Sequence, residues 1–311
     1  MKISSRLQGN LIMLLAMIIF GLNIPATKYL YTSGLATPVE VTALRMMFAA
    51  IAFWITSLFM AHEKVSRKDL LILMVGGICG TILNQGLFAY GLQMTSPVDA
   101  SIIATSGPLF ALVIAFVVLK EPITWMKFGG VLVGGAGAVF LISSSTHTNV
   151  EQGANFIGNI CIVAAQFFYA FYLVITRPLS TKYSPVTINK WVFLFASIAF
   201  LPISATEITK TPLFYQNDIA PFLIICFILV GATYFTFMLI PMAQRRIRPT
   251  TISMYNNVQP VVASVVAIYM GMDKFTIEKL VSCVVIFLGV YLVTKSKSKA
   301  DLEDENAVIE K

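Results

Sequence analysis

The sequence predicts an all-α polytopic membrane protein, with ten transmembrane helices arranged as two inverted five-helix repeats. Three observations predict it. Hydrophobic residues make up 57% of the 311 and charged residues only 12%, against about 25% charged in ordinary soluble domains. Ten apolar runs approach the roughly 20 residues that cross a hydrocarbon core. And one long stretch of the chain occurs twice.

That stretch is 97–142, which falls on 249–294 without a gap. Pro97 meets Pro249, Ser101 meets Ser253, Pro108 meets Pro260, Lys127 meets Lys279 and Gly137 meets Gly289, while Glu121 meets Asp273. Two unrelated apolar stretches would share Val, Leu and Ala, but not two prolines and an acid. Further upstream, Thr37-Pro38-Val39 through Phe53 falls on Ser184-Pro185-Val186 through Phe200, and Gly9-Asn10 on Gly158-Asn159. A period this long exceeds any solenoid repeat and points to duplication of half a protein, as in secondary transporters. The expected units are 1–148, 149–299 and an acidic tail, 300–311, expected to be disordered.

The runs follow in order: 9–30, 38–61, 70–93, 97–119, 124–144, 156–177, 186–205, 219–241, 250–271 and 276–295. The first follows Lys2 and Arg6 and imitates a signal peptide, but it is too long for one and its repeat partner lies in mid-chain. It also carries Asn23 ahead of Pro25. The second carries Arg45 about a third of the way along, and the third carries Gly76-xxx-Gly80 and then Asn84-Gln85 at its middle. Thr105-Ser106-Gly107-Pro108 interrupts the fourth. Gly129, Gly130, Gly134, Gly135 and Gly137 give the fifth a small-residue face, which suits close helix packing within the monomer or a homodimer seam. Gln166, Tyr169 and Tyr172 lie in the sixth, Lys190 and Trp191 open the seventh, and Tyr234 and Thr236 lie in the eighth. Asn256-Asn257-Val258-Gln259-Pro260 interrupts the ninth where Pro108 interrupts the fourth.

Basic residues set the orientation. With a cytoplasmic N-terminus, 17 of the 22 Lys and Arg lie on the inside and four outside, with Arg45 within a run. Both termini are therefore expected in the cytoplasm, and five helices per half insert the halves in opposite senses. The net charge of +7 follows from this placement and is no sign of nucleic acid.

Polar groups at membrane depth are costly unless they face the bundle interior or water. Pro108 and Pro260 each remove a helix hydrogen bond, and the freed carbonyls need partners. Paired broken helices near the midplane point to a transport site, so the expected cavity residues are Asn23, Arg45, Asn84, Gln85, Thr105, Ser106, Pro108, Gln166, Tyr169, Tyr234, Asn257 and Pro260. The bland alternative is a structural kink whose polar neighbours serve only the backbone. Arg45 either snorkels to the interface or faces a cavity and holds an anionic group. Depth favours snorkelling for Lys190 and an interface belt for Tyr169, Tyr172 and Trp191. No Asp or Glu lies near the centre of a run, which disfavours a carboxylate proton relay and a partner for cationic drugs. Glu121 and Asp273 are expected to close helix ends beside nearby cations. The four cysteines lie within apolar runs and read as small hydrophobes; the two histidines, His62 and His147, lie between runs. No catalytic or metal-ligand constellation is present, nor a channel filter, and no cofactor is expected.

In combination these residues resemble the drug/metabolite transporter superfamily, and within it the ten-helix EamA-type permeases of bacterial inner membranes. The resemblance covers about 8–296 and rests on Ile19-Phe20-Gly21-Leu22-Asn23 followed by Lys28, on Arg45, and on Thr95-Ser96-Pro97, Ala100, Pro108 and Leu119-Lys120-Glu121-Pro122. The second copy ends Gly271-Met272-Asp273, with aspartate for the usual glutamate. It implies a bundle with a central cavity, alternating access, and export of amino acids or other small metabolites, with the fifth and tenth helices peripheral. Multidrug-cation efflux and a non-transporting membrane protein are the alternatives.

Overall fold

The computed structural model describes residues 5–119, 124–144, 152–209, 211–215, 217–244, 246, 255, 258–274 and 276–295. Among them the long elements are all helices. α1 is Ser5–Thr32, α2 Pro38–Leu58, α3 Arg67–Met94, α4 Pro97–Val118, α5 Trp125–Ser144, α6 Gln152–Ser180, α7 Pro185–Ile208, α8 Ile219–Ala243, α9 Val258–Tyr269 and α10 Ile277–Lys295. Seven are long and apolar enough to cross a bilayer, and Trp125–Leu141 and Val258–Tyr269 are shorter apolar helices. The expected start of the ninth run lies largely outside the described residues, as do Asn257, Glu121 and the tail.

The openings follow from local chemistry. Thr37, Ser66, Ser96 and Ser184 each accept a hydrogen bond from the first turn of α2, α3, α4 and α7, satisfying an N–H that the helix cannot. Pro38, Pro97 and Pro185 sit directly behind three of these caps, where a missing N–H costs nothing. α1 ends at Gly34, whose φ of 65° lets the chain turn back so that the Leu35 N–H reaches the Leu30 carbonyl.

Three helices depart from regular α geometry. α4 is broken into Pro97–Ala104 and Gly107–Leu119, with Thr105 and Ser106 between. This is where Pro108 was expected to break it. Ile78–Leu83 of α3 and Phe227–Phe235 of α8 are π-helical, so the third helix of each half carries a widened turn. Pro260 lies in the first turn of the described α9.

Helices that are equivalents under the duplication pack on each other: α2 on α7, and α5 on α10. The first helix of each half is exchanged into the other, α1 against α8 and α9, α6 against α3 and α4. One core therefore draws on both halves, with Ile24, Leu92 and Ile102 beside Ile162, Ile228 and Ile286. The small-residue faces explain the closest approaches. A Cβ on Gly289 would collide with the backbone of Gly134 and Gly130, and one on Gly137 would lie 2.9 Å from Ile286. Gly80 faces the Tyr172 ring in the same way. Both GxxxG faces are thus occupied within the chain, while Gly129 and Gly135 look onto open space.

Candidate functional site

The first group of candidates lies on the seam between α2 and α8. In the π turn of α8 the Thr233 hydroxyl donates to the carbonyl of Ile228, five residues back, at 2.8 Å. The same oxygen accepts from Arg45 Nε at 2.8 Å. The guanidinium thus runs sideways to α8 rather than to an end of α2. Of its five donors, Nε alone has a protein partner among the described residues. The Tyr31 hydroxyl on α1 is buried, lacks a hydrogen-bond partner and lies within range of the Arg45 charge. Further along, the Tyr234 and Thr56 hydroxyls meet at 2.6 Å, and the Tyr234 ring lies against Phe53, which stacks on Phe193 of α7. Asn23 is buried on α1 with Thr27 at 3.4 Å.

A second group lies where α3 and α4 meet α6. Asn84 Nδ2 donates to the Ala165 carbonyl at 2.9 Å. Gln166 places its carboxamide oxygen against Gly107, beside the α4 break. The Thr105 and Ser106 hydroxyls each donate to a carbonyl three residues back, Ile102 and Ile103, at 2.7 Å. Both hydroxyls thus satisfy backbone carbonyls at the break. Both amide atoms of buried Gln85 lack partners. In α9, Pro260 is buried, and the neighbouring Gln259 carbonyl and Val262 approach Gly21 of α1. The described candidates are therefore spread over two seams rather than gathered in one cluster.

Several aromatic and basic side chains sit differently from expectation. Tyr172 is 8% exposed and packs on Gly76 and Gly80, with Tyr169 6.1 Å away, so these rings fill the helix interface rather than belting the membrane. Lys190 is 5% exposed and does not snorkel. Its ammonium lies 5.0 Å from the Trp54 ring centroid, a cation–π contact that lets a lysine stay inside.

The two ends of the bundle differ. At the end that holds the α1–α2 turn, Lys28 Nζ donates to the carbonyls of Leu92, Gln93 and Thr95 at 3.0, 2.8 and 2.9 Å. There Lys279 also pairs with Asp273 at 2.8 Å and Asp99 at 3.1 Å, so Asp273 does meet a cation. At the opposite end a cavity of about 460 Å³ is lined by Trp54, His62, Glu63, Lys190 and Trp191, among others. Glu63 latches the α2–α3 loop to α7, accepting from the Ser184 N–H and hydroxyl at 3.0 Å. Burial works to raise the Glu63 pKa, but the Thr187 hydroxyl, the two Ser184 donors and the Lys190 charge outweigh it and hold the carboxyl below its ordinary 4.5. A lowered pKa means the latch contributes fully above that value and is lost as pH falls through the lowered one. Protection of the Ser184 amide from hydrogen exchange is expected to weaken as pH falls below the ordinary carboxylate range, and Glu63→Gln should show the weaker protection already at pH 7.

A model of the EamA-like transporter family matches residues 7–143 and again 156–295. The chain belongs to the EamA-like transporter family. An uncharacterized transporter of Methanothermobacter thermautotrophicus is 24% identical over 93% of this chain and 86% of its own length. YyaM of Bacillus subtilis, also an uncharacterized transporter, is 24% identical over 84% and 85%. A protein of Chlamydia muridarum named as an S-adenosylmethionine/S-adenosylhomocysteine transporter is 24% identical over 74% of each chain. A crystal structure superposes with a TM-score of 0.61 at 17% identity, covering 92% of this chain and 98% of that one, which speaks to the fold alone.

This EamA-like protein is thus a multi-pass membrane transporter of the drug/metabolite superfamily. Sequence reasoning missed Thr233 as the partner of Arg45 and Tyr31 as its neighbour, and Trp54 and Glu63 as neighbours of Lys190. A polar residue within an apolar run was visible for Thr233. Nothing in the runs signalled the π turn that aims it.

Proposed function

We propose that this EamA-like transporter exports small polar metabolites, such as amino acids, by alternating access across a bacterial inner membrane with both termini cytoplasmic. The observation that carries the reading is Arg45, a guanidinium held between helices by one hydrogen bond, its other donors without a protein partner among the described residues. Donors of that kind suit a carboxylate, which takes two parallel N–H bonds from one arginine. The buried carboxylates described, Glu40, Asp69 and Asp99, are all near helix starts, so a mid-membrane acid for a cationic drug is missing among the described residues. The chlamydial relative supports the same class, because both solutes in its name carry an amino-acid group. On this orientation, the Lys28 and Lys279 contacts close the outer end and the cavity opens inward. The working units are two halves, 1–148 and 149–299, with 300–311 as a cytoplasmic tail.

Counterflow in proteoliposomes with labelled amino acids, organic acids and cationic dyes tests this. Exchange of amino acids or anions is expected, and exchange of cations alone would favour drug efflux instead. Pro108→Ala restores an N–H where α4 is broken and is expected to slow turnover about tenfold while leaving half-saturation within about twofold. Equal rates would make the break purely architectural.

A further inference from the structure

The cavity between α2, the α2–α3 loop and α7 is not lined by Arg45. Its volume of about 460 Å³ suits a small organic molecule. Lys190 is buried, and among the described residues it makes no hydrogen bond or ion pair within 4 Å; its ammonium lies over Trp54 and Trp191, at 5.0 and 6.0 Å, with the Glu63 carboxylate within electrostatic reach. Those two indoles stand edge to face, 5.3 Å apart. Their Nε1–H groups are both buried without an acceptor. An unpaired buried donor is unfavourable, and the two residues that carry such donors line one space together with Lys190. The acid at the rim, Glu63, is spent on Ser184.

We propose that this cavity is a binding site for the carboxylate of a small organic acid or zwitterion, separate from Arg45. The Lys190 ammonium supplies the charge, the Trp54 and Trp191 indoles supply directional N–H donors, and their ring edges cover the apolar part of the ligand. A cation is disfavoured because the Lys190 ammonium already lies beside both indoles. That the site loads substrate for export rests on the orientation and direction proposed above. Binding itself does not.

Two of the chain's three tryptophans line the site, so intrinsic fluorescence reports occupancy without any transport. In purified Trp125→Phe protein, benzoate is expected to give a saturable change, and size-matched benzylammonium none. Lys190→Gln should weaken the benzoate response at least tenfold, and Lys190→Arg should retain it. An equal response to benzylammonium, or an unchanged response in Lys190→Gln, would overturn the proposal. Arg45→Ala keeps the two failures apart: it should retain the benzoate response while losing counterflow. A benzoate response in protein that exchanges nothing would leave the site standing and the export reading fallen. Thermal stability of each Lys190 variant distinguishes a lost site from a lost fold.

Discussion

Arg45→Ala abolishes counterflow while the protein still reaches the membrane at the wild-type level: this is the largest functional effect expected. The side chain lies in the bundle between α2 and α8, and its one hydrogen-bond partner among the described residues is a threonine hydroxyl. Losing that single hydrogen bond to a charged donor costs the fold about 1.5–3 kcal/mol, and removing a charge from membrane depth offsets part of it. A substrate carboxylate loses much more. Two charge-assisted hydrogen bonds at about 1.5–3 kcal/mol each correspond to two to four orders of magnitude in affinity. Thr233→Val is the matching control. It removes the same protein contact but leaves the guanidinium, so transport should fall by tenfold or less. Arg45→Lys keeps the charge without the fork and should fall between the two. If Arg45→Ala transports normally, the arginine is only a cross-brace between helices.

Gly289→Leu is expected to eliminate extractable folded protein, the largest structural effect. α10 meets α5 at Gly289 with the backbone of Gly134 and Gly130 directly opposite. A side-chain neighbour can change rotamer; a peptide backbone within a helix cannot. Even Gly289→Ala must push the helices apart and is expected to cost about 1–3 kcal/mol, read as a fall of several degrees in melting temperature in detergent. Gly129→Ala and Gly135→Ala, where nothing lies within 4 Å, should melt like the wild type. The glycine set of α5 would then divide into seam and surface members, although the sequence presents them as one run.

The number of helices, their approximate limits and the α4 break near Pro108 were legible in the sequence, because bilayer thickness and backbone hydrogen bonding dictate them locally. The azimuth of each polar residue was not. In lipid a helix can be apolar on every side, so periodicity does not say which face is buried, and Lys190 and Tyr172 were misplaced for that reason. The π turns of α3 and α8 are the clearest case. The residues of Ile78–Leu83 and Phe227–Phe235 would fit an α-helix equally well, yet the wider turn decides that Thr233 faces Arg45. The spread of candidates over two seams followed from packing between the halves, which spacing along the chain does not encode.

The α5–α10 contact carries one more consequence. Gly137 and Gly289 occupy the same place in the two copies, and each is pressed against the partner helix of the other. Such a contact is isologous: one patch meets its own image across a two-fold axis, as in a symmetric dimer. The two matched stretches thus pack in the manner of an antiparallel homodimer. Once linked, the copies were free to diverge. Gly134 now faces Gly289 where its counterpart, Ile286, faces Gly137, so a hole on one side of the axis answers a knob on the other. The halves have become a matched pair, each fitted to its partner and no longer to itself.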